Sequence, residues 1–273
     1  MSDQAELLVV HIQALRILAR TEYVAVRECR DLESIFNQLP GELLWRRDSG
    51  QTIIQTENSS AYFQETVDAI VADGRAASLT LAFKVKELVS ASVRELNLGN
   101  LAASAVCVRA ALEAAVASIN LFIKFLNAHR HLASNNPWGF LVSIDEQAEK
   151  LTVGGKWEFA SRQPTNILTS MNAVSNYLGA ESEFGGSLQS IYTALSEVSH
   201  PNSAGSNLYW KHDLATPPVA AAPVYVQVKE KYGIDYDYHL ILMEAILWAM
   251  GFSSRFSVEM FRELQEMRFR VVS

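Results

Sequence analysis

Arg109 and Glu113 stand four residues apart and are the only charged side chains between Leu96 and Ile123. In a helix that spacing puts both on one face. A charge drawn into an apolar interior needs an answering partner, since removing one member of a buried pair typically costs about 3–5 kcal/mol. Glu244 is a matching oddity, the only charge between Leu240 and Ser254. Glu197 and His200 follow a Glu-x-x-His spacing, and Pro201 biases His200 away from helical geometry. The histidine is therefore expected at a helix end, where its imidazole can meet the terminal carbonyls and serve as an acid/base group or grip a ligand. One arginine, three glutamates and this histidine are expected to share a polar cluster inside a bundle. The same letters serve a plainer role as ties that hold a loop and fix the packing.

Other chemistries meet sterner tests. A carboxylate-bridged two-metal site needs two Glu-x-x-His motifs and two further glutamates, and the chain has one such motif, so no metal or cofactor is expected. Gly154-Gly155-Lys156 lacks the first glycine and the Ser/Thr of a phosphate loop, and Gly-x-Ser-x-Gly, His-Glu-x-x-His and Gly-x-Gly-x-x-Gly are all missing. Asn202, Tyr209, Trp210 and Lys211 lie in an irregular stretch. There they could bind a partner, or stack a base and contact a phosphate, although a tryptophan anchoring the loop explains the same residues. His129 and His131 read as a solvated helix end, and the interleaved glutamates of FRELQEMRFR mark a solvated helix face.

The 273 residues are 49% hydrophobic and 19% charged, a globular balance with material for a sizeable core. A formal charge of −7 repels nucleic acid unless basic residues gather locally, so RNA is possible as a partner but unsupported by net charge. Cys29 and Cys107 lack CxxC spacing, and no secretory pattern opens the chain, which predicts a reduced, cytoplasmic protein. Arg109, Glu113 and the break at Gly99-Asn100 argue against a membrane span.

The elements that must position these residues are helices. Apolar spacing predicts a long helix over Asp3–Gln38, ended by Pro40-Gly41, and two more over Ser60–Asp73 and Arg75–Leu98, parted by Gly74. The run from Asn100 to Ala128 is apolar nearly all round and therefore buried. Shorter helices are expected over Phe140–Leu151, Thr165–Leu178 and Ser187–Ser199, and a long one over Tyr236–Arg270. Between the last two lies the Pro/Ser/Asn/Gly loop 201–223, followed by VYVQV, a short strand without an obvious partner. The economical fold is a single all-α domain over 1–273, a multi-helix bundle with long N- and C-terminal helices.

LGNLAASAVCVRAALEAAV, with Arg109 and Glu113, followed by YTALSEVSHPN, with Glu197 and His200, resembles bacterial helical proteins of the HEPN-like type. Those carry an Arg-x-x-x-Glu helix and a Tyr-x-x-Leu-Ser-x-x-x-His-Pro/Ser helix end. The resemblance covers Leu96 to Trp210 and implies an all-α bundle, frequent dimerisation and a link to host defence or toxin systems. Active HEPN nucleases, which cleave RNA without metal, carry an arginine separated from the histidine by four to six intervening residues. Here Thr193, Ala194 and Leu195 occupy those positions. A helical interaction or scaffold protein, dimeric or bound to a protein partner, is therefore the first expectation. The alternative is a metal-independent endoribonuclease in which His200 is the acid/base, Arg109 brought from another helix stabilises a pentavalent phosphate, and Glu113 completes the set.

Overall fold

The computed structural model describes residues 32–43, 59–97, 100–133, 139–140, 144, 166–179, 183–200, 210–211, 227–228 and 236–270. These form an all-α bundle of α1 (Ser59–Asn97), α2 (Leu101–Ala133), α3 (Ile167–Leu178), α4 (Glu183–Ser199) and α5 (Tyr236–Glu266). Between α4 and α5, β1 (Trp210–Lys211) pairs antiparallel with β2 (Gln227–Val228), Trp210 opposite Val228 and Lys211 opposite Gln227. The last two residues of VYVQV thus pair with Trp210 and Lys211 of the preceding stretch. Of the N-terminal helix expected over Asp3–Gln38, residues 32–36 are described as helical. The Gln38 and Leu39 amides fold back onto the Ile35 and Phe36 carbonyls just before Pro40.

Gly74 does not divide two helices. It lies inside α1, on a continuous buried stripe with Val67, Val71, Ser78, Ala82, Val85, Val89, Ser92 and Leu96. That three-and-four spacing holds the helix together through the glycine, because burial of an amphipathic face outweighs a propensity deficit of about 1 kcal/mol. The missing side chain has a use: a Cβ there would overlap the Phe125 ring, with Cε2 at 2.8 Å. Likewise Gly185 and Gly186 sit within α4 instead of preceding it.

The chain divides into two compact units. The first comprises Met1–Glu33, Glu87–Leu112 and Gln189–Phe252, and the second Ser34–Lys86, Glu113–Leu188 and Ser253–Ser273. Helices α1, α2, α4 and α5 each lend residues to both, so neither unit is one contiguous stretch. In the first unit the Ser92 hydroxyl meets Ser104 Oγ at 2.8 Å and donates to the Ser104 carbonyl at 3.0 Å, joining α1 to α2. In the second, Ser78 and Ser118 hydroxyls meet at 3.2 Å between the same two helices, and Asn120 donates to Ser170 Oγ of α3 at 3.2 Å. Small buried hydroxyls paired this way let helices approach closely while leaving those polar groups satisfied.

Helix α2 runs five residues past the expected end at Ala128. By length and composition its stretch Leu101–Leu132 could cross a membrane, with a hydropathy of 1.7, yet 61% of that apolar window is buried against the rest of the protein. Of the helix expected over Phe140–Leu151, Phe140 and Ile144 are helical and fully buried, and the remainder lies outside the described residues.

Candidate functional site

Helix α4 is amphipathic. Leu188, Tyr192, Leu195 and Val198 recur at four and three residues and are buried, which turns Glu197 and His200 to the exposed side. The helix stops at Ser199, whose hydroxyl donates to the Leu195 carbonyl at 2.6 Å, and the His200 amide closes the last turn on the Ser196 carbonyl at 3.1 Å. His200 therefore stands at a helix end, as its place before Pro201 leads one to expect. The Ser196 hydroxyl oxygen is buried and makes no hydrogen bond.

Arg109 projects from α2 and is half-buried. Its Nη2 donates to the Tyr192 hydroxyl at 3.2 Å, and its guanidinium carbon lies 5.2 Å from the centre of the same ring. The cation uses both the polar tip and the π-face of one residue, which explains how a charged side chain is accommodated in a largely apolar stretch of helix. Sequence reasoning missed Tyr192 as the partner. The signal was there in the tyrosine's place on the apolar stripe of α4, because a buried phenol normally finds a hydrogen-bond partner.

The wider polar cluster is not assembled in the interior. Glu244 is exposed, although Leu242, Met243, Ala245, Ile246 and Leu247 around it are buried. A helix packed on most sides still has a narrow outward strip, and Glu244 occupies it. Glu197 and His200 face solvent, and Glu113, one turn beyond Arg109 on α2, is half-buried and falls in the second unit. Trp210 and Lys211 form β1, while Asn202 and Tyr209 lie outside the described residues, as do Gly154-Gly155-Lys156, His11 and Cys29. His129 and His131 are exposed at the end of α2, the former with its ring 5.5 Å from that of Phe269. Burial pushes the half-buried Cys107 thiol up from its ordinary pKa, which holds it in the unreactive protonated form.

Among the described residues, no three His, Cys, Asp or Glu side chains gather as a metal ion would require. No protein-family model, curated protein or solved structure matches this chain. The described residues thus bring together a cation–phenol contact between α2 and α4, with a carboxylate and an imidazole on the solvent side of α4.

Proposed function

We propose that the chain is a cytoplasmic helical interaction protein of the HEPN-like type, working as a homodimer or with a protein partner in bacterial host defence or toxin systems. The observation that carries this reading is the engagement of Arg109 with Tyr192 at 3.2 Å. An arginine that stabilises a pentavalent phosphate must aim its donors at the site where charge develops. Here the guanidinium instead bonds a neighbouring helix, the role of a tie between α2 and α4. Glu197 and His200 then belong to a polar outer face available to a partner.

Light scattering on the purified chain, together with incubation in total RNA with and without chelator, tests the reading. The expected result is a dimer mass, or a protein partner recovered in stoichiometric amount, with RNA left intact. RNA cleavage that survives chelator and disappears in both His200→Ala and Arg109→Ala would overturn the proposal in favour of the endoribonuclease.

A further inference from the structure

We draw no further inference here: the strongest candidate, the outward apolar face of α2 in the first unit, where Val106 is 49% exposed between Ala103 and Ala110, carries none because nothing among the described residues shows what covers it.

Discussion

Arg109 of α2 gives a hydrogen bond to the Tyr192 hydroxyl of α4 and at the same time rests against the Tyr192 ring, so one contact has a polar and an aromatic part. The two parts can be separated. Tyr192→Phe keeps the ring and removes the hydroxyl, and should cost about 1 kcal/mol in urea unfolding. Tyr192→Leu removes both and should cost about 1–2 kcal/mol more, through the lost ring volume and the loss of its cation contact. In an Arg109→Met background the Tyr192→Phe cost should shrink by about 0.5–1 kcal/mol, the signature of coupling. Strictly additive costs would mean that the two residues are neighbours without being partners.

His200→Ala should leave the unfolding midpoint nearly unchanged. The side chain is exposed, and surface substitutions of that kind usually fall within about 0.5 kcal/mol. Thermal unfolding followed by circular dichroism is sufficient to check it. A drop of several degrees would show that the imidazole supports the loop after α4.

Gly74→Ala sets two effects against each other. Helix propensity alone predicts a gain of about 1 kcal/mol, whereas the new methyl must push aside Phe125, a fully buried ring packed edge-on to Phe269, at an overpacking cost of about 1–3 kcal/mol. Overpacking should win, giving a net loss in denaturant unfolding. In a Phe125→Leu background the obstruction is smaller, so the same change should become neutral or stabilising.

Local periodicity explains why the helices were legible in the letters. The apolar spacing of α2 and α5 is a property of consecutive residues, and no distant contact is needed to read it. Gly74 misled because the cost of a glycine is also local, while its benefit, room for Phe125, comes from a residue fifty-one positions away. Glu244 was expected inside the bundle for a related reason. Glu244 amid apolar neighbours reads as buried only if every face of α5 is covered, and coverage is a tertiary fact. Arg109 was correctly singled out as needing an answer, but opposite charge suggested a glutamate or the histidine's helix. The protein supplies Tyr192 as a partner, a neutral residue that no charge-matching argument selects.

Ser253 and Ser254 are fully buried, and neither hydroxyl has a hydrogen-bond partner. Keeping an unpaired hydroxyl out of water costs about 1–3 kcal/mol, so Ser253→Ala and Ser254→Ala should each be neutral or stabilising. Ser78→Ala is the contrasting case, because it strands Ser118 in the core, and it should destabilise by about 1 kcal/mol. Adding Ser118→Ala should recover part of that loss. Equilibrium unfolding of the four variants tests the contrast, and a destabilised Ser253→Ala would reveal a partner for that hydroxyl, such as a buried water.

Between α1 and α2, Glu95 accepts a hydrogen bond from the Asn100 side-chain amide at 2.9 Å and another from Arg94 at 3.3 Å. The Asn100 bond first, and Arg94 after it, hold this carboxyl below its ordinary pKa against a smaller opposing effect of desolvation. A depressed folded pKa means that the unfolded chain binds the proton more readily. The stabilisation is therefore complete above the ordinary glutamate range and is lost as pH falls through the folded value. Asn100→Ala removes the larger cause, so the Glu95 titration, followed by carboxyl NMR, should move up toward the ordinary value. The stability difference between wild type and Asn100→Ala should be constant near neutral pH and shrink as the solution is acidified through the titration. Any effect of Asn100 on the start of α2 is independent of that proton and persists at low pH. A difference that stays the same from neutral pH down past the Glu95 titration would mean that the Asn100 bond does not favour the ionised carboxylate.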